Sequence, residues 1–400
     1  MAATVYYKID GNNVYFTNEN KSGYTEWSNQ AKVASGKNVI VELYNGSFAI
    51  PKASEDMFSG MTNTSIPQAE YFDFSETEVA IDMFASCPNL TTANSYNWRM
   101  PYMRDLERFF YDCPKLTTVY CQNWGCEKVN YIWSMFSGCK SLTRVDFTGW
   151  HPTQVRGLNY VFHNCNSLVS VNFDDNSWGV SGGSYSASFY HTFHNCYMLT
   201  SFSFNFLNDT SSISSLTYAF YGCNNLKSID ISKLTGQNIN YLEYTFYRCY
   251  SLKDLDLSGT KWTFDSTDAL KYTFYGCSSL TKLDLSGWKL TGAGLNFVGM
   301  FDGCSALTEI KVRYGSDWKQ NAGGTYESSS MFQGCSKLPN WDGVVTYERA
   351  NDKELYGYFT GVWIPEEVTA YIKNENDLWI EASESYIKTT SGWKLSRIWS

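Results

Sequence analysis

The chain has 400 residues, too many for one compact core, so it holds two or three domains or one elongated array. Charged residues make up 18% and aromatics 17%, with 30 tyrosines; this excludes disordered and collagenous classes and points to a β-rich fold with a tyrosine, serine and asparagine surface. The net charge of −9 excludes a general affinity for nucleic acid or for an anionic membrane, since both need a basic footprint.

The N-terminus, MAATVYYKIDGNNVYF, shows no basic segment followed by an apolar run, and no lipobox cysteine. Nor is there a run of ~18 apolar residues to span a bilayer. The expectation is a chain made in a reducing cytosol, where free thiols are the default; a chain whose export signal had been removed reads the same.

Residues 1–56 carry no repeat. Val5–Ile9 and Val14–Thr17, joined by Asp10-Gly11-Asn12-Asn13, read as a hairpin. Val39–Leu43 and Ser47–Ile50, joined by Tyr44-Asn45-Gly46, read as a second one. The block is expected to cover the first unit of a repeat array, because an open repeat end exposes its apolar face.

From residue 57 to 362 a ladder of phenylalanines sets the period: Phe58, Phe84, Phe110, Phe136, Phe162, Phe193, Phe220, Phe246, Phe274, Phe301, Phe332 and Phe359. Most intervals are 26 to 28 residues and two are 31. The longer ones place insertions at one phase, at 174–188 with Gly182-Gly183 and at 314–328 with Gly323-Gly324, and so on one face. Ten rungs carry cysteine three residues on, from Cys87 to Cys335, while the first and last have Met61 and Val362 there. Such a position wants a small or flexible buried side chain, which is how a free cysteine behaves. The segments just before the cysteines, such as 216–221 and 242–247, space apolar residues by three or four and read as short helical turns. A leucine three residues past each cysteine opens a strand, as in Leu252-Leu255-Leu257 and Leu280-Leu283-Leu285. Each unit is one helical turn and one strand, an α/β repeat. Parallel strands stacked at ~4.8 Å give a sheet roughly 50 Å long.

Residues 363–400 leave the pattern after Pro365. Tyr371-Ile372-Lys373 with Trp379, and Tyr386-Ile387-Lys388 with Trp393, predict two small aromatic hairpins, the second turning through Thr390-Ser391-Gly392. The expected fold is a leucine-rich-repeat solenoid of about twelve units, capped by small β elements at both ends.

The phrase F-x-x-C-x-x-L-x-x-L-x-L-S-G-W, written in full at 274–288, resembles the BspA-like class of bacterial leucine-rich repeat proteins. The resemblance runs from Phe58 to about Val362. It implies a right-handed solenoid with parallel strands along one face and an adhesive or ligand-recognition role on a bacterial surface. Such repeats also occur in phage-encoded proteins. The tail, YIK…W then YIK…SGW, looks like the short β repeats that end structural proteins of phages infecting gut Bacteroidetes. Together these imply a non-enzymatic virion structural or host-attachment protein, made in the host cytoplasm and released by lysis. Its partners would be other virion proteins, copies of itself, or a host surface glycan or protein. The alternative is a bacterial cell-surface adhesin lacking its export signal.

No residue set points to catalysis, and no cofactor or metal is expected. One cysteine per unit at a buried phase is a packing device rather than a ligand stack. Cys121 and Cys126 lie outside the ladder; a local disulfide between them stays open, and a zinc site lacks two further ligands nearby. His163 and His194 share one phase in adjacent units and His191 precedes His194 by three residues. That spacing admits a surface metal site, although polar residues on an exposed turn are the simpler reading. Along the strands, Asp230, Asp256 and Asp284 face away from the core and stack as like charges. They admit a cation, yet serine and lysine neighbours with water relieve the repulsion more simply. Repeated by translation without a cleft, they make a poor glycosidase pair. Trp150 and Trp288, which come after the strand turn, are read with the three aspartates as the binding candidates. Tyr160, Tyr190, Tyr218, Tyr244 and Tyr272, two or three residues before the rung, add to the aromatic surface.

Overall fold

The computed structural model describes residues 3–174, 177–180, 187–210, 213–236, 239–292, 294–313, 318 and 330–339. It also describes backbone strands at 360–362, 369–373, 379–383, 386–389 and 392–395. The rung Phe359, the two glycine pairs of the insertions and Pro365 lie outside these residues.

The chain coils into a β-solenoid. Its rungs from Phe58 to Phe332 are all buried, and successive rings lie face to face with centroids 5.3 to 5.8 Å apart and planes within 18°. The two 31-residue intervals do not interrupt the column: Phe162 meets Phe193 at 5.4 Å, and Phe301 meets Phe332 at 5.7 Å. The ladder cysteines are buried free thiols. Each donates its S–H to the carbonyl of the preceding rung's phenylalanine, at 2.9 to 3.5 Å. Small size and a weak donor explain why cysteine recurs here.

The leucines open parallel strands as the spacing predicts. Thr92–Ala93, Thr118–Val119, Arg144–Asp146 and Ser170–Asn172 pair side by side, as do Ser201–Ser203, Ser228–Asp230 and Asp254–Leu255. Lys282–Leu285, Glu309–Arg313 and Thr360–Val362 continue the series. Shorter parallel contacts form a further edge of each coil, such as Thr263–Phe264 with Lys289–Leu290.

Among the described residues the helical turns expected before the cysteines are absent; the short 3-10 turns Ala69–Tyr71 and Ser232–Leu234 lie elsewhere in the coils. Segments 216–221 and 242–247 are consecutive β-turns, like their counterparts in the other coils. The residue two before each rung and the residue two after it both have positive φ: Tyr244 is at 53° and Arg248 at 60°, Tyr218 at 56° and Gly222 at 72°. A left-handed residue every four positions cannot continue an α-helix. The N–H groups point along the solenoid instead. Leu242, Tyr244 and Phe246 donate to Ala269, Lys271 and Thr273 of the next coil, at 2.8 to 2.9 Å. The strain of a left-handed non-glycine residue, about 1 kcal/mol or more, is offset by these inter-coil bonds.

At the N-terminus, Tyr6–Asp10 and Asn13–Thr17 form the expected hairpin. The second predicted hairpin does not form. Asn38–Glu42 pairs in parallel with Asn13–Thr17, and Phe48–Ala49 pairs in parallel with Phe72–Asp73 of the solenoid. Only a bridge from Tyr44 to Ser47 marks the turn. Parallel pairing sets Val14 beside Val39 and Phe16 beside Val41 on the buried side. Phe16 then meets the first rung, Phe58, edge-on at 5.2 Å. At the other end, Thr369–Lys373 pairs antiparallel with Trp379–Ser383, and Tyr386–Thr389 with Gly392–Leu395.

Candidate recognition surface

The strand face carries an open groove of about 810 Å³, with Ser201, Asp230, Lys253, Asp256, Lys282 and Asp284 among its lining residues. Strand alternation puts leucine and isoleucine inward and these polar residues outward. It carries both signs of charge, with Asp254 and Glu309 beside the three aspartates and Lys253, Lys282 and Lys311 as the cations. Asp230 lies in register with Ser203, and Asp284 with Lys311.

Each aspartate first closes its own turn. Asp230 Oδ1 accepts the Ser232 N–H at 3.0 Å, Asp256 Oδ1 the Ser258 N–H at 2.9 Å, and Asp284 Oδ1 the Ser286 N–H at 3.0 Å. The Ser258 hydroxyl also donates to Asp256, at 2.7 Å. This Asx turn explains the D-x-S spelling at the strand end. Asp230 Oδ2 accepts further bonds from the Ser203 hydroxyl and the Asn205 amide, at 3.1 and 2.9 Å. Hydrogen bonds from Ser232 hold the Asp230 carboxyl below its usual range, and those from Ser258 do the same for Asp256. Among the described residues the three carboxylates do not gather into a metal-binding group.

The tryptophans are placed differently from the expectation. Trp150 and Trp288 are buried. The Trp150 indole N–H donates to the Cys121 carbonyl at 2.6 Å, and that of Trp288 to the Thr260 hydroxyl at 2.8 Å. Trp98, Trp124, Trp150 and Trp178 form an internal column at 5.3 to 6.0 Å, parallel to the phenylalanines. A buried ring offers no face to a partner. The strand turn folds inward because the indole N–H finds an acceptor one coil back. Cys121 and Cys126 are buried free thiols, with Cys121 donating to the Asp146 carbonyl at 3.0 Å.

A second surface lies over the β-turns. The residue two before the rung and the residue one after it form two parallel rows of half-buried rings. The first row runs Tyr160, His191, Tyr218, Tyr244, Tyr272, stacked at 4.4 to 5.0 Å. In the second, His194, Tyr221, Tyr247 and Tyr275 stack at 4.3 to 4.6 Å. His163 heads this row, 5.0 Å from His194. Burial raises the Tyr160 and Tyr244 phenols to about 12, so they stay protonated donors at neutral pH. The first row was visible in the sequence as tyrosines before the rung, except that His191 takes the place expected for Tyr190, which meets Tyr160 and Tyr218 edge-on. The second was missed, although it repeats one residue after each phenylalanine.

The rows also unite histidines that are scattered along the sequence. His163, His191 and His194 lie together, with one ligand nitrogen from each within 4.8 Å of the others. The spacing of these three in the sequence admitted a surface metal site, with polar residues on an exposed turn as the simpler reading.

Among the described residues no helix is long and apolar enough to cross a membrane. Residues 77–202 match the family described as Mycoplasma protein of unknown function, DUF285. No curated protein matches the chain. A leucine rich cell surface protein of Faecalibacterium prausnitzii is 16% identical, over 81% of this chain and 98% of its own, with a TM-score of 0.30. In the Drosophila Toll–Spatzle complex, a chain is 14% identical over 70% of this chain and 39% of its own, with a TM-score of 0.32. An internalin of Listeria monocytogenes is 13% identical over 72% of this chain and 79% of its own, with a TM-score of 0.20. Residues 186–340 match the BspA type Leucine rich repeat region in six copies, so the array that the rungs define is similar to a BspA-like leucine-rich repeat.

Proposed function

We propose that the protein is a non-enzymatic recognition scaffold, a virion structural or host-attachment component of a bacteriophage, whose strand-face groove takes a protein or glycan of the host surface. The observation that carries this reading is the continuous groove over successive coils, lined by charged and hydroxyl side chains among apolar ones. Its aspartates sit on rigid turns, so a partner meets preorganised acceptors instead of mobile side chains. Asp230, Asp256 and Asp284 are the residues assigned to contact it, with Lys253, Lys282 and Lys311 of the same groove setting register. The terminal β elements dock the scaffold to other virion proteins or to copies of itself.

Asparagine retains the Oδ1 acceptor that closes each turn and removes the charge; at Asp230 it also removes the Oδ2 acceptor of the exposed Ser203 and Asn205 bonds. The triple variant Asp230→Asn, Asp256→Asn, Asp284→Asn is expected to keep its cooperative melting, with at most a small drop in melting temperature, and lose at least tenfold in binding to intact host cells. Unchanged binding would remove the groove from the proposal. Mass spectrometry of purified particles tests the virion assignment. Similarity of 186–340 to BspA-type repeats favours a second reading, an adhesin on a bacterial cell surface, which detection on uninfected cells supports. Turnover in a glycan-hydrolysis screen, lost on substituting Asp256, would overturn the non-enzymatic reading.

A further inference from the structure

We propose that His163, His191 and His194 form a binding site for one divalent transition-metal ion of the zinc, nickel or copper class. Three of the chain's four histidines converge here from two neighbouring coils. His191 Nδ1 and His194 Nδ1 face each other at 2.7 Å, a pair that shares a single proton in the metal-free protein. An ion in place of that proton satisfies both lone pairs at once. Tetrahedral coordination at about 2.0–2.1 Å per nitrogen sets imidazole centroids roughly 5 Å apart. The three observed separations are 4.7, 5.0 and 5.9 Å.

The rings are held in place before any ion arrives. His191 lies between Tyr160 and Tyr218, at 5.0 and 4.4 Å and within 8° of both planes. His194 lies on Tyr221 at 4.3 Å, and the Ser137 hydroxyl is 3.4 Å from His163 Nδ1. Packing does not demand histidine at these phases, because the next coils carry Tyr218, Tyr221, Tyr244 and Tyr247 there and stack equally well. The donor set is all imidazole, which selects zinc, nickel or copper over calcium or magnesium. All three residues are half-buried, so the cluster is reached from solvent, as a site that accepts an external ligand requires.

Calorimetric titration of the untagged full-length chain with zinc chloride, under reducing conditions, tests the site. One ion per chain is expected, with cobalt producing the visible absorption of a nitrogen-coordinated ion. The variant His163→Tyr, His191→Tyr, His194→Tyr adopts the ring type of the next coils; it should keep the metal-free melting temperature and lose the titration. No uptake by the wild type, or equal uptake by the variant, overturns the proposal. Histidine ring NMR of the wild type decides the matter if the variant does not fold. Zinc should shift the signals of three histidines and leave His151 unmoved, and any other pattern overturns the assignment.

Discussion

At the scale of single residues the solenoid is demanding, because each core position is met by its own translational copy. Phe274 is buried between Phe246 and Phe301, at 5.6 and 5.8 Å. Its replacement by alanine leaves a cavity that neither neighbour can fill without leaving its own column. The expected loss is ~3–5 kcal/mol, read from urea denaturation. Asp105 presents the opposite case, a carboxyl that the fold disfavours. Burial raises it from 3.8 to about 6, and the nearby Glu107 and Glu55 charges add to the rise. The Glu107 N–H, which donates to Oδ1 at 2.9 Å, offsets part of it. The folded state thus binds this proton more tightly than the unfolded chain does. Between pH 6 and 3.8 the native form holds the extra proton, so this group's share of stability falls as pH rises through that window and stays low above it. Asp105→Asn keeps the Oδ1 acceptor and removes the charge. Its urea midpoint should exceed that of the wild type at pH 7.5, and the advantage should vanish near pH 4.

At the scale of the element, the rungs, cysteines and strands were legible because each recurs at a fixed phase with an unambiguous period of two or three. The turns were not. Phenylalanine, cysteine and leucine at successive intervals of three suit a helix on paper, yet the same spacing arises from β-turns whose N–H groups bond the next coil. What separates the two is the sign of φ at residues such as Tyr244 and Arg248, and tyrosine and arginine carry no sequence signal for a left-handed backbone. The recognition residues suffered likewise. Trp150 and Trp288 read as surface because they come after a polar Asp-x-Ser/Thr-Gly turn, and only the inter-coil bonds of their indole N–H groups show the turn folding inward. The histidine group was legible as a spacing, with His163 and His194 at one phase of adjacent units, but whether the ring nitrogens meet depends on how two rows pack across coils.

The two Leu-Ser-Gly turns test how far identical spelling means identical packing. A Cβ on Gly287 would meet the Thr260 carbonyl oxygen of the preceding coil, whereas one on Gly259 meets only the Thr235 methyl at 3.5 Å. Neither glycine needs a positive φ. Gly287→Ala should therefore cost roughly 1–3 kcal/mol through backbone displacement, while Gly259→Ala is near neutral. Equal melting temperatures for the two variants would contradict this difference in approach between the coils.

At the scale of the whole molecule, each coil contacts its neighbours through the same few partners, so the array behaves as a one-dimensional stack. Before the rung, Leu216, Tyr218 and Phe220 donate to Tyr241, Glu243 and Thr245, and Leu242, Tyr244 and Phe246 repeat the pattern onto Ala269, Lys271 and Thr273. These bonds all point toward the C-terminal end. The N-terminal segment supplies matching donors at the other end, from Gln30 to the Glu55 carbonyl and from Gly36 to that of Gly60. Deleting residues 221–246 removes one full period of 26 residues, from one rung to the next. Phe220 would then stack on Phe274, and Leu216, Tyr218 and Phe220 would donate to Ala269, Lys271 and Thr273. Every lost partner has an equivalent, so this deletion should give a soluble chain that retains the β-sheet circular dichroism and melts cooperatively at a lower temperature. Deleting only residues 234–246 shifts rung against strand and leaves those donors without acceptors. That chain should not fold. If the two deletions behave alike, the coils are not interchangeable units and the stack is held by contacts specific to each position.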